Sequence, residues 1–365
     1  MTLSIIILNY NVCCFLELCL RSVEIAISKI DAEIIVIDNN SDDESCDMVK
    51  RLFPEVKLIE NKDNFGFSKG NNIGVHQAKG DYLCILNPDT VVAEDTFLKL
   101  LKFSKKKKKL GIIGCRLIDG KGRFLPESKR KIPYVKAAFK KIFGNSNDYY
   151  ANHLNENETG KVDILVGAFM FLERAVYNDI KGFDEDYFMY GEDIDISYKA
   201  LKNGYCNYYY GETTVMHFKG ESTLKDKRYA RRFYGAMQIF YKKHFKKNIG
   251  FDMFVWIGIR LASIYRKKSD TKAKRILEYI FVSNNMNEKL RTALSEKVVL
   301  KSDLGMVKKA SEIIFDANYV SYKTIIENIN IYKDEFITFK ILPHKSGFIL
   351  GSDNSTSRGE IIYFE

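Results

Sequence analysis

Gly80-Asp81-Tyr82-Leu83-Cys84-Ile85-Leu86-Asn87-Pro88-Asp89-Thr90-Val91-Val92 is a short apolar run that stops at an acidic, proline-stiffened turn. Tyr82 to Leu86 is continuously apolar, the pattern of a central parallel strand covered on both faces. Pro88 has no N–H to give to a ladder, so the chain leaves the sheet near Asn87. Ligands of open α/β sheets bind outside the carboxyl ends of the strands, which puts the Asn87 amide and the Asp89 carboxylate at a binding crevice. Asn, Pro and Asp are also ordinary turn formers. On this stretch alone, a solvated turn whose Asp caps the next helix accounts for them equally well.

Working outward, strands over 4–8, 33–37, 56–59 and 111–115 alternate with helices over 14–27, 42–53, 70–78 and 93–104. Ser41 and Glu44 have capping-box spacing at the start of the second helix. Strands alternating with helices predict a parallel, Rossmann-like sheet. The first strand is followed by Asn9-Tyr10-Asn11-Val12, without the G-x-G-x-x-G of dinucleotide enzymes, and G-x-x-x-x-G-K-[ST] is absent as well. Asp38 ends the second strand. Its carboxylate can accept hydrogen bonds from a ribose hydroxyl or a base N–H, or can serve as an acidic charge at a helix start, and the residues leave both open.

With 365 residues, 46% of them hydrophobic and 13% aromatic, the chain can bury a large core. A net charge of +10 favours an anionic partner: nucleic acid, an acidic membrane face or a phosphorylated substrate. The 7 cysteines include no C-x-x-C pair, which argues against a disulfide framework or a cysteine zinc site and for a reducing cytosol. Met1 to Leu8 reads as the first strand, since it has neither the charged start nor the cleavage site of a signal peptide.

Five phrases in order resemble the family 2 glycosyltransferases, which have the GT-A fold. They are Ile5-Ile6-Ile7-Leu8-Asn9-Tyr10-Asn11, Ile37-Asp38-Asn39-Asn40-Ser41-Asp42, Asn64-Phe65-Gly66-Phe67-Ser68-Lys69-Gly70-Asn71-Asn72, Leu86-Asn87-Pro88-Asp89 and Gly191-Glu192-Asp193-Ile194-Asp195. The resemblance covers about residues 1–245, and its closest flavour is the bacterial rhamnosyltransferase-like branch. It implies an inverting, metal-dependent enzyme that moves a sugar, rhamnose or another hexose, from a nucleotide diphosphate to a glycan or lipid-linked acceptor in cell-surface polysaccharide synthesis. By the same resemblance Asn9, Asn11, Asp38, Asn64, Gly66, Asn71, Asn87, Asp89 and Gly167 lie on the donor side, with Asp38 on the nucleobase. Asp89 helps hold a divalent cation on the diphosphate. Asn87 replaces the first Asp of the D-x-D motif, so a single carboxylate shares the cation, Mg²⁺ or Mn²⁺, with other ligands.

Further along, Asp119-Gly120-Lys121-Gly122 predicts a hairpin turn, and 126–161 is polar, aromatic and irregular, as binding loops are. The run Lys105 to Lys109 suits a helix carboxyl end, where solvation explains it, with lipid contact as the alternative. Gly167-Ala168 interrupts an apolar stretch and permits close approach of a ligand or backbone. Acids in the first turn of a helix are stabilised by its dipole, and capping alone explains one of them, not Glu192, Asp193 and Asp195 together beside Phe188 and Tyr190. The resemblance assigns Asp193 as the general base and leaves Glu192, Asp195 and Tyr190 on the acceptor side. It also gives His217 a place in the cation site. Taken alone, a His at a strand end is more often structural.

Three segments follow from this reading: a GT-A catalytic domain over 1–248, an amphipathic linker over 249–270 and a small α/β domain over 271–365. Phe251 to Tyr265, followed by Arg266-Lys267-Lys268, is too short and too charged to span a bilayer. An interfacial helix and a helix packed on the catalytic domain both fit it. The expected location is cytoplasmic, peripheral to the inner membrane. A sugar nucleotidyltransferase is a weaker reading, because no basic, Gly-rich phosphate loop follows the first strand. A nucleic-acid-binding module is weaker still, for want of any recognisable motif.

Overall fold

The expected alternation closes on a mixed sheet. In the computed structural model, which describes residues 1–134, 149–219, 227–245, 276–334, 336–353 and 358–364, the chain opens with β1 (Leu3–Asn9), α1 (Cys13–Ile27), β2 (Ala32–Asp38), α2 (Ser45–Leu52), β3 (Lys57–Glu60), α3 (Gly66–His76) and β4 (Tyr82–Leu86). These strands are parallel, with β1 between β2 and β4. The apolar runs of β1, β2 and β4 are buried on both faces, while the edge strand β3 stays partly exposed.

The sheet then changes direction. After β5 (Thr90–Val91), α4 (Thr96–Ser104), β6 (Leu110–Ile118) and β7 (Gly160–Lys161) comes β8 (Phe169–Glu173), which runs antiparallel between β4 and β6. α5 (Arg174–Asp179), α6 (Glu192–Lys202), β9 (Cys206–His217) and α7 (Lys227–His244) complete this unit. The sheet order is β3-β2-β1-β4-β8-β6-β9-β5, with β7 on β9. Antiparallel β8 places Ala168 beside Asn87, whose N–H donates to the Ala168 carbonyl at 3.0 Å. The proline-stiffened turn and the glycine turn are thereby neighbours.

The expected capping box does not form. α2 starts at Ser45, and the Ser41 hydroxyl turns back to the Asp38 carboxylate at 2.6 Å, a charged acceptor that outcompetes a helix N–H. Asp43 Oδ1 accepts the Ser45 N–H instead.

The second sheet comprises β10 (Glu278–Val282), β11 (Val298–Lys301), β12 (Ser311–Asp316), β13 (Thr338–Leu342), β14 (Phe348–Gly351) and β15 (Glu360–Tyr363), in the order β11-β10-β12-β13-β14-β15. α8 (Glu288–Ala293) and α9 (Tyr322–Ile331) connect its parallel strands. One apolar cluster joins the two sheets: Val91, Ile118, Met216 and Phe218 from the first meet Phe315 and Ile325 from the second. The turn at Asp119 is pressed against this unit. A Cβ on Gly120 would lie 2.3 Å from the Ser352 carbonyl oxygen, and one on Gly122, at φ +76°, 2.4 Å from that of Ile329. The Gly-Lys-Gly of the expected hairpin is thus a docking turn. The sequence segments 249–270 and Phe251 to Tyr265 lie outside the described residues, as does 135–148 of the irregular loop. Among the described residues no helix is long and apolar enough to cross a membrane.

Candidate active site

Strand ends β1 and β2 build the first group. Asn9 and Asp38 face each other in register, and Asp38 Oδ1 accepts from Asn9 Nδ2 at 2.7 Å and from the Ser41 hydroxyl. Asp38 Oδ2 accepts the Ser41 N–H at 2.8 Å. An ionised carboxylate has about four acceptor positions, so little capacity is left for a ligand. Asn9 is fully buried and acts on the site through Asp38. Asn11, at φ 55°, closes the same loop: its N–H donates to Ser41 Oγ at 3.0 Å and its Oδ1 accepts the Asp42 N–H at 2.7 Å.

The Asn64 to Asn72 phrase shapes the next rim. Asn64 Oδ1 accepts the Gly66 N–H at 3.0 Å, and Asn39 Nδ2 donates to the Gly66 carbonyl at 3.0 Å. Gly66 has φ +76°, and a Cβ there would lie 2.3 Å from the Phe188 carbonyl oxygen. This turn therefore brings the chain against the loop before α6. Asn71, expected on the donor side, is fully buried with its Nδ2 on the Phe67 carbonyl at 2.9 Å, which ties it to its own helix.

The β4 turn brings Asn87 and Asp89 to His217. His217 Nε2 lies 3.3 Å from Asp89 Oδ1 and 3.3 Å from Asn87 Nδ2, and Thr90 pairs with His217 across β5 and β9. Asp89 and His217 are both buried. This donor set, one carboxylate, one imidazole and one carboxamide, suits a hard or borderline divalent cation that completes its shell with ligand oxygens and water. Among the described residues no cluster of three or more His, Cys, Asp or Glu side chains could hold a metal by itself.

Asp193 stands at the first turn of α6, against Gly167. Its Oδ2 accepts from Arg130 at 2.6 Å and lies 3.4 Å from the Gly167 N–H, while Oδ1 accepts the Ile194 N–H at 2.8 Å. Arg130 also donates to the Leu165 carbonyl at 2.7 Å. Burial works against the guanidinium charge, but Asp193 and Tyr149 together outweigh it and keep Arg130 protonated. A Cβ on Gly167 would sit 3.4 Å from Asp193 Cβ and from Phe67, an ordinary contact, so these neighbours alone do not demand a glycine there. Glu192 is buried beside this pair with Oε2 unpartnered. Burial, and then the Asp193 charge, push its carboxyl up to about 8.

Asp195, expected on the acceptor side, is turned toward α7. It is buried at 1% exposure, with Oδ1 on His244 Nε2 at 2.6 Å and on the Tyr187 hydroxyl at 3.4 Å, and Lys199 3.4 Å from Oδ2. The acid anchors α7 to α6. Tyr190, at φ 72°, is half-buried against Phe233 of α7. Phe188 is partly exposed beneath the Arg232 guanidinium, 4.5 Å from its ring centre.

Arg130 and His244 escape a reading of the sequence. Arg130 lies 63 positions before Asp193 in an aperiodic stretch of lysines, and nothing in local spacing sets it apart. The loop composition was the only signal, and it pointed to the region without pointing to the residue.

The model of the family described as "Glycosyl transferase family 2" matches residues 4–181, which include the Asn9, Asp38, Asn87, Asp89 and Gly167 positions just described. Over these residues, just under half of its length, the chain resembles glycosyl transferase family 2. The glycosyltransferase unit is 24% identical over 242 residues to N-acetylglucosaminyl-diphospho-decaprenol L-rhamnosyltransferase of Mycobacterium tuberculosis, covering 61% of this chain and 78% of the relative. It is 27% identical over 161 residues to rhamnosyltransferase WbbL of Escherichia coli (strain K12), covering 42% of this chain and 61% of the relative. The crystal structure of GalNAc-T7 with UDP, GalNAc and Mn²⁺ superposes with a TM-score of 0.51 at 17% identity, over 73% of this chain and 52% of that one. That likeness concerns the fold, and the fold of the glycosyltransferase unit is GT-A.

Proposed function

We propose that this glycosyltransferase performs a single inverting displacement, with Asp193 as the base and Asp89 and His217 as protein ligands of a Mg²⁺ or Mn²⁺ ion. The observation that carries the reading is the Asp193 carboxylate on the Arg130 guanidinium at 2.6 Å and beside the Gly167 N–H. Two donors on Oδ2 fix the carboxylate's orientation before any acceptor arrives. Its task is to take the proton of the acceptor hydroxyl as that oxygen forms its bond to the anomeric carbon. The bond from that carbon to the nucleoside diphosphate breaks in the same step, and the electron pair leaves with the diphosphate. A divalent cation, when bound, supplies positive charge for the departing diphosphate. Asp38, fixed by Asn9 and Ser41, shapes the nucleobase end of the site and offers its remaining acceptor capacity to the base.

The relatives named as rhamnosyltransferases support a deoxyhexose donor and an acceptor carried on a lipid diphosphate. The net charge of +10 is consistent with such an anionic acceptor at a membrane surface.

The reading is tested with Asp193→Asn and Asp38→Ala, assayed by release of nucleoside diphosphate from a panel of nucleotide sugars. Base catalysis is worth roughly 10²- to 10⁴-fold, so Asp193→Asn should lose turnover by about two orders of magnitude or more while the KM for donor stays near its wild-type value. Asp38→Ala should raise the donor KM first. Asp193→Asn turning over at close to the wild-type rate would remove Asp193 as base and leave Glu192 as the nearest carboxyl.

A further inference from the structure

The second sheet makes one contact that bears directly on the Asp89 and His217 strand pair. α9 begins after β12, at the carboxyl edge of a parallel sheet, where α/β units present backbone N–H groups and the positive end of a helix dipole to an anion. Here that position is filled from within the chain. Glu94 Oε1 accepts the Tyr322 N–H at 2.7 Å and Oε2 accepts the Lys323 N–H at 2.9 Å, while Ser321 Oγ accepts the Thr324 N–H at 3.1 Å. Lys323 Nζ adds an ion pair to Asp95 at 2.8 Å. The first-turn donors of α9 are thus taken, and the anion that holds them is a side chain of the glycosyltransferase unit.

Glu94 follows β5 within a few residues. β5 pairs Thr90 with His217 and Val91 with Met216, and the Phe218 N–H donates to the Asp89 carbonyl at 3.0 Å. Val91, Ala93, Met216 and Phe218 are buried in the apolar cluster that Phe315 and Ile325 complete from the second sheet. The strands that carry Asp89 and His217 therefore rest on the second sheet, and their exit is held by its helix dipole.

We infer that the second sheet is a positioning element for the cation site: it takes the Glu94 carboxylate as an internal ligand and so fixes the Asp89 and His217 side chains relative to each other. The inference rests on the reading of Asp89 and His217 as cation ligands. Glu94 is a positioning residue and touches no substrate. An independent ligand site at the start of α9 is excluded by the same geometry, since Glu94 occupies it.

The test uses the full chain with Glu94→Gln, which keeps the shape and removes the charge, and Glu94→Ala, which removes both acceptors. Three quantities are read: backbone hydrogen exchange at Thr90 to Val92, Mn²⁺ binding by electron paramagnetic resonance with UDP, GDP or dTDP present, and kcat at saturating Mn²⁺. The loss of a charged helix cap predicts exchange about three- to tenfold faster and an Mn²⁺ dissociation constant about three- to tenfold higher, with kcat within about twofold. Glu288→Gln, in an exposed pair with Arg291 on the same sheet unit, should change none of these. Glu94 variants with wild-type exchange and wild-type Mn²⁺ binding would overturn the inference, as would a fall in kcat with the Mn²⁺ constant unchanged. Circular dichroism identifies a variant that has merely unfolded, and the milder Glu94→Gln then decides. If the wild-type chain binds no Mn²⁺ with any of the three nucleotides, the cation reading itself fails and takes this inference with it. Failure in the Glu94 variants alone removes only the inference.

Discussion

Replacing Glu192 with Gln should change how fold stability depends on pH, in a calculable direction. The side chain is buried in the first turn of α6 with Oε2 unpartnered, and burial together with the Asp193 charge raises it from 4.5 to about 8. An acid raised in this way keeps its proton in the fold and releases it on unfolding. Between about pH 4.5 and pH 8 the native chain therefore binds more protons than the unfolded one, and wild-type stability declines as pH rises through that window. At ~1.36 kcal/mol per pKa unit, the rise from 4.5 to about 8 sets a ceiling of about 5 kcal/mol. We expect about 2 kcal/mol, since the neighbouring groups rearrange as the charge forms. Gln has the same shape and no proton to lose. Urea denaturation followed by circular dichroism at pH 5, 6, 7 and 8 reads the difference directly, because titrating groups that do not interact with Glu192 cancel between the two proteins. The variant should match the wild type at pH 5 to within about 1 kcal/mol and exceed it by about 2 kcal/mol at pH 8. A difference that stays flat across the window, or that favours the wild type as pH rises, would refute the argument.

If the proposed cation neutralises the departing diphosphate, chelation should abolish sugar transfer and Mn²⁺ or Mg²⁺ should restore it; full activity in chelator would remove the cation from the mechanism. Gly66→Ala forces a side chain into φ +76° and within 2.3 Å of the Phe188 carbonyl, so a thermal melt should register a loss of more than about 2 kcal/mol. An unchanged melting temperature would mean that the turn is freer than its contacts imply.

What could be read in the chain was what depends on short stretches. Tyr82 to Leu86 is apolar without alternation because both faces of β4 are covered, and Pro88 ends it, so strand and strand end were legible together. The donor-side phrases were legible as a resemblance, and the structure gathers Asn9, Asp38 and Ser41 in one hydrogen-bonded loop. Contacts between distant segments were not legible. Asp195 has the same local surroundings as Asp193 in sequence, yet one meets His244 and the other Arg130, because neighbours on a helix face different sides. Glu94 and Tyr322 are 228 positions apart, and neither residue type announces the other. The Ser41 and Glu44 spacing was legible and misleading, since a buried carboxylate competed for the hydroxyl.

The apolar face shared by the two sheets has a consequence during synthesis. Met216 and Phe218 leave the ribosome about a hundred residues before Phe315, which at about 5–20 residues per second is an interval of roughly 5–20 seconds. Throughout it the first unit can form its strands, but Val91, Met216 and Phe218 have only the part of their cover that Phe15 and its neighbours supply, without Phe315 and Ile325. The nascent chain then carries a half-covered apolar face until β12 arrives, and a gene cut short before that strand should give a product that aggregates more readily than the full chain.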